Sequence, residues 1–147
     1  MDGSWYNNRN TEVNKKINKE FLSLSIMTIV VERDRFRQAI LEMIADKEMR
    51  NILDYATYHS RSVNNVIGDI GMSHSTAYRK INWMLEEGLL FSDKIEITPD
   101  GKKFSLFRST LKSINIRYSQ GEIIVQVDYN FNVLEKITAR LFSLDQD

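Results

Sequence analysis

Arg79 and Asn82 stand three positions apart in the stretch SHSTAYRKINWMLEE, and their side chains suit the edges of paired bases. A guanidinium can bond both acceptors of a guanine edge, and a carboxamide can bond the donor and the acceptor of adenine. Around them stand Ser73, His74, Ser75, Thr76 and Tyr78, which suit hydrogen bonds to phosphate oxygens or contact with a thymine methyl. Ala77, Ile81, Met84 and Leu85 recur at helical spacing, so the segment predicts a helix with its apolar stripe inward and these polar groups outward. Serine, threonine and tyrosine are poor choices for a helix face that meets only water.

The elements that would hold this helix are legible from its neighbours. Ser73 is its cap, and Ser62 caps the helix before it, which turns Val63, Val66, Ile67 and Ile70 inward. Gly71 ends that earlier helix, because glycine adopts a left-handed cap without a steric cost, and Gly88 ends the later one. Upstream, Phe36, Ile40, Met43 and Ile44 mark one helix. Asp46 caps another, with Met49, Ile52, Leu53 and Ala56 in one stripe.

Downstream, Leu89–Phe91 and Lys94–Thr98 predict strands, Thr98-Pro99-Asp100-Gly101 a turn, and 102–108 the return strand. That hairpin is expected to set Ile95 and Ile97 opposite Phe104 and Leu106. Lys94, Lys102 and Lys103 flank it and suit phosphate contact, as does Arg61 ahead of the third helix. A second hairpin runs through Ile114, Ile116 and Tyr118, turns at Ser119-Gln120-Gly121, and returns through Ile123, Val125 and Val127. In the last helix, Val133 to Leu144, the residues Leu134, Ile137, Leu141 and Leu144 are spaced as a short coiled-coil seam. Phe21 to Val31 suits a strand or a helix equally, and residues 1–20 are polar and expected to be mobile.

Composition narrows the chemistry. Twenty basic residues balance twenty acidic ones, so no global field draws in nucleic acid, and affinity for it must come from local placement or a doubled site. The chain has no cysteine and two histidines, which removes disulfides, thiolate metal sites and cysteine nucleophiles, and no metal site is expected. No glycine loop to cradle phosphate and no serine with a partner base stands out, so neither catalysis nor a cofactor is expected. The longest apolar-leaning run is far short of the ~20 residues that span a bilayer, and no secretory signal is visible. The expected setting is the cytoplasm.

The order helix, helix, helix-turn-helix, hairpin resembles the winged helix-turn-helix domains of prokaryotic transcription regulators, most of all the ArsR-like regulators common in archaea. The likeness rests on Ile67, Gly71, Met72, Ser73, Ser75-Thr76-Ala77, Ile81 and Glu86-Glu87-Gly88-Leu89-Leu90, with Ile95–Gly101 as the wing strand and turn. It covers roughly residues 34–108 and implies a DNA-binding regulator; its metal-sensing members use cysteine and histidine clusters, and this chain has no cysteine. The expected class is mainly α with a small β component (α+β): a winged helix-turn-helix with an added C-terminal β-hairpin and helix. By segment, a polar 1–20 would precede the helix-turn-helix domain of 21–108, and 109–147 would serve dimerisation. Ile116, Tyr118, Val125, Leu134, Ile137, Leu141 and Leu144 are the expected interface of a homodimer on double-stranded DNA. Neutral charge favours a rival, a winged-helix module that binds a protein partner; an RNA binder ranks third, for want of clustered aromatics.

Overall fold

Three helix starts in this chain are written in side chains that accept from otherwise unpaired backbone amides. Asp46 accepts from the Met49 amide at 3.0 Å, and Ser62 and Asn65 exchange hydrogen bonds in a reciprocal cap. Ser73 accepts from the Thr76 amide at 3.4 Å. The computed structural model describes residues 28–144, without the side chains of residues 131–134, 137 and 144. The described residues form α1 (Asp34–Ala45), α2 (Lys47–Tyr55), α3 (Val63–Ile70), α4 (His74–Glu86) and α5 (Phe131–Leu144). Their strands are β1 (Thr28–Val30), β2 (Leu90–Ile97), β3 (Lys103–Ser109), β4 (Leu111–Ser119) and β5 (Glu122–Tyr129). The class is mixed α+β, with antiparallel pairing throughout.

One sheet has the order β1-β5-β4 and the other is the β2–β3 hairpin. The chain between α2 and α3 adds a short rung to that hairpin: the Arg61 amide donates to Phe107 O at 2.9 Å, and the Phe107 amide to Arg61 O at 2.8 Å. Gly71 ends α3 with φ of +79°, the left-handed conformation its position requires. A single core takes Ile40, Met43, Ile52, Val66, Ile81 and Met84 from the helices, Leu89 and Phe107 from the β2–β3 region, and Leu111, Val125 and Val127 from the second sheet. Residues on both sides of the expected boundary at 108/109 therefore share one apolar interior.

Several expectations change. Of the ambiguous run 21–31, residues 21–27 lie outside the described residues, as do 1–20. Thr28–Val30 is a strand, paired with β5. The two predicted strands 89–91 and 94–98 are one strand, β2, interrupted by a register shift between Ser92 and Lys94. The extra residue is Asp93, which is buried and accepts from the Ser60 hydroxyl and the Lys136 ammonium. One added residue moves the rest of the strand to the opposite face. Ile95 therefore pairs with Ser105 and Ile97 with Lys103, not with Phe104 and Leu106, and both isoleucines are exposed. α5 lies against β2: besides the Lys136 contact, Arg140 Nη2 donates to Ser92 O at 3.4 Å, and its guanidinium lies 4.6 Å over the Phe91 ring.

Candidate functional site

α4 presents the polar face its sequence predicts. Ala77, Ile81 and Met84 are buried, while Ser73, His74, Ser75, Tyr78, Arg79 and Asn82 are exposed and Thr76 is half-buried. The rings of His74 and Tyr78, one turn apart, stack at 4.5 Å between centroids and brace each other on the outer face. The Ser73 hydroxyl donates to Thr76 Oγ1 at 2.8 Å, which commits both hydroxyls to the cap region. Among the described residues, no carboxylate pairs with Arg79.

Three contacts fix the pose of α4. Lys80 is only 6% exposed and reaches back to α2, with Nζ 2.5 Å from Asp46 Oδ2 and 2.8 Å from Glu48 Oε2. Burial pulls the Lys80 pKa down, but the hydrogen bonds to Asp46 and Glu48 outweigh it and hold the ammonium above its ordinary value. The same hydrogen bond holds the Asp46 carboxyl below its ordinary range. At the C-terminal end of α4, Arg35 grips Glu87 in a bidentate pair at 3.0 and 2.9 Å, which ties α1 to that helix.

Beside α4 runs a groove of about 490 Å³, bounded by the start of α3 and by one face of the β2–β3 hairpin. Its lining includes Asn64, Tyr78, Asn82, Lys103 and Ser105, and no carboxylate. The register shift at Asp93 puts Ile95 and Ile97 on the same hairpin face as Ser105 and Lys103. A neutral chain thus offers one groove whose polar lining is hydroxyl, amide and ammonium groups, with Lys103 as its one cation.

The other predicted cations are less free. Lys94 lies 3.4 Å from Glu96, and Lys102 lies 3.6 Å from Asp100. Lys103 is exposed, and among the described residues it has no such carboxylate. Arg61, expected at phosphate, is instead a half-buried clamp: its guanidinium lies 4.0 Å over the Tyr55 ring and Nε donates to Tyr55 O at 3.1 Å. The Tyr55 hydroxyl in turn donates to the Asp69 carboxylate, and that bond, with burial, raises its pKa. Sequence reasoning missed Asn64 and Lys80. Asn64 had a signal, since the Ser62 cap places it in the first turn of α3, and Lys80 had none, since a lysine in a helix reads as solvated.

Among the expected interface residues, Ile116 and Tyr118 are exposed on the β4 face, and Leu141 is exposed on α5. Val125 is corrected: at 1% exposed it belongs to the core, because β5 is the central strand and Val31, Ile114 and the helices cover that position. The side chains of Leu134, Ile137 and Leu144 lie outside the described residues. Among the described residues, no group of three His, Asp or Glu side chains is placed to hold a metal, and no helix is long and apolar enough to cross a membrane. Compared with known proteins, the chain matches no family model, no curated sequence and no solved structure.

Proposed function

We propose that this chain is a winged helix-turn-helix regulator of the ArsR-like kind, which reads duplex DNA in the cytoplasm as a homodimer. α4 lies in the major groove and the β2–β3 hairpin, the wing, rests on the flanking backbone. The carrying observation is the groove between α4 and the hairpin, lined by Asn82, Tyr78 and Lys103 without a carboxylate. Its support is threefold. α4 has thirteen residues and is therefore about 20 Å long, enough to follow a groove ~12 Å wide. Its exposed Arg79 and Asn82 are the residue types that bond guanine and adenine edges. Lys80 holds the middle of the helix and Arg35 its C-terminal end, so little order is lost on binding. A chain with no net charge gains most by doubling its half-site. No catalytic step is part of this proposal.

The test is selection of bound sequences from a random duplex pool, followed by salt-titrated binding of the selected site. Arg79→Ala is expected to weaken binding by about 1–3 kcal/mol and relax base preference at one position. Lys103→Ala is expected to weaken all sequences alike and to lower the salt slope by about 1. No enriched sequence, with a flat salt response, overturns the proposal. That outcome favours the second reading, a module that docks a protein through the wing. One observation supports it: Ile95 and Ile97 are exposed on the groove-side face, while Lys94 and Lys102 are paired with acids.

A further inference from the structure

Among the described residues, β4 ends its sheet as a strand of nine residues, longer than the usual ~5–6, and most of it is exposed. A free edge is a row of unpaired amides and carbonyls, which monomeric proteins blunt with proline, bulges or inward charges. From Ser113 to Ser119 β4 has none of these. The register shift falls earlier, between Leu111 and Ser113, and Arg117 lies on the face away from the isoleucines.

The backbone directions follow from neighbouring bonds. The Val31 amide donates to Val125 O at 2.9 Å, so Val125 turns its backbone toward β1. Its partner in β4, Ile116, then forms a non-hydrogen-bonded pair with it, and the amide and carbonyl of Ile116 point out of the sheet. By alternation Ile114 and Tyr118 do the same. The turn agrees: Gln120 and Gly121 have φ of 53° and 83°, the two-residue primed turn, which closes on Ser119 and Glu122 as the bonded pair. The three residues with outward backbone groups are therefore the three with apolar side chains. Ile116 is 39% and Tyr118 73% exposed, with Ile123 beside them.

We infer that a second copy of this chain pairs its own β4 antiparallel against this edge, about a twofold axis at Ile116. The arrangement deepens the homodimer part of the proposed function by giving it an interface. The strand complements itself in this register. Ile116 meets the partner's Ile116, Ile114 meets the partner's Tyr118, and on the other face Arg117 meets the partner's Asn115. No like charges stand opposite one another, and the irregular residue Lys112 falls outside the paired stretch. Centring the axis on Arg117 would oppose two guanidiniums, and moving it to Ile114 would set Ile116 against the partner's Lys112. The two sheets become one continuous sheet with β1 at each end.

The chain has no cysteine, so introduced ones report their own surroundings. Full-length Asn115→Cys and Arg117→Cys chains, co-expressed, are expected to form a mixed disulfide under mild oxidation, since non-hydrogen-bonded cross-strand pairs lie ~4.5 Å apart between Cα atoms. Either variant alone is expected to form far less, because its own copy sits two residues out of register. Light scattering of the unaltered chain is expected to give twice the chain mass. Ile116→Lys, which sets two ammonium groups at the axis on an exposed edge, is expected to weaken the dimer about tenfold or more while leaving the circular dichroism spectrum unchanged. A monomer at every concentration overturns the inference. So does a dimer that survives Ile116→Lys and gives no mixed disulfide, which would move the interface to another surface such as α5. None of these measurements uses DNA, so they fail or succeed separately from the groove proposal.

Discussion

Removing either member of the Asp46–Lys80 pair is expected to destabilise the protein unequally, and the inequality follows from what each deletion leaves behind. Asp46→Ala takes away the α2 cap, a loss of about 1 kcal/mol. It also leaves the Lys80 ammonium, 6% exposed, with Glu48 as its one carboxylate, which adds about 2 kcal/mol for a lost charged hydrogen bond. Lys80→Met keeps the apolar stem and leaves two carboxylates behind. Their side chains are 30% and 49% exposed, so water can take them up, and the cost falls to about 1 kcal/mol. Asp46→Asn separates the two roles, since its amide oxygen still caps α2 while the charge is gone; it is expected to fall between the two. Urea unfolding at pH 7 followed by circular dichroism measures all three. If Lys80→Met costs as much as Asp46→Ala, or more, burial of the ammonium is not what makes this pair matter, and the account of how α4 is anchored is wrong.

The same pair sets an acid limit: the Asp46 carboxyl is held low by Lys80, and that of Asp128 by the hydroxyls of Ser113 and then Thr28. Folded pKa values below the unfolded value of ~3.9 give stability that is present above it and lost as pH falls through the folded values. Urea midpoints are therefore expected to drop below about pH 4, and less steeply in Lys80→Met, where one of these shifts is removed. Gly71→Ala has open space for its Cβ but a φ of +79°, so it is expected to cost about 1 kcal/mol from backbone strain alone, read by thermal unfolding. Ile97→Thr is expected to change stability by less than about 0.5 kcal/mol, whereas Leu106→Ala, at a buried site, is expected to cost about 2 kcal/mol or more. A large loss at Ile97 would contradict the hairpin register.

What was legible in the sequence was local. The caps at Asp46, Ser62 and Ser73 and the stripes such as Ala77, Ile81 and Met84 specify four helices and the outer face of α4, because each depends on residues within a turn or two. The turn at Pro99–Gly101 was equally readable. What was not legible depends on groups far along the chain. The bulge at Asp93 exists because Ser60, 33 residues before it, and Lys136, 43 after it, hold its carboxylate inward, and no alternation pattern within β2 announces that. Lys80 is buried because Asp46, 34 residues away, has a second oxygen to spare after capping α2. Val125 and Ile123 look alike in the sequence, yet the helices cover the first and leave the second open. Arg61 reads as a free cation until Tyr55 is placed beneath it.

The Asp93 carboxylate has an outcome for any shortened form of this chain. Cut after Asn130, the protein would lose Lys136 and the ion pair that holds the Asp93 carboxylate inward, leaving it the Ser60 hydroxyl and the charge of Arg108. If the bulge then closed and Asp93 joined the ladder opposite Leu106, the groove-side face would receive Lys94 and Glu96 in place of Ile95 and Ile97. Which side chains the hairpin offers to a visitor is thus decided in part by the tail.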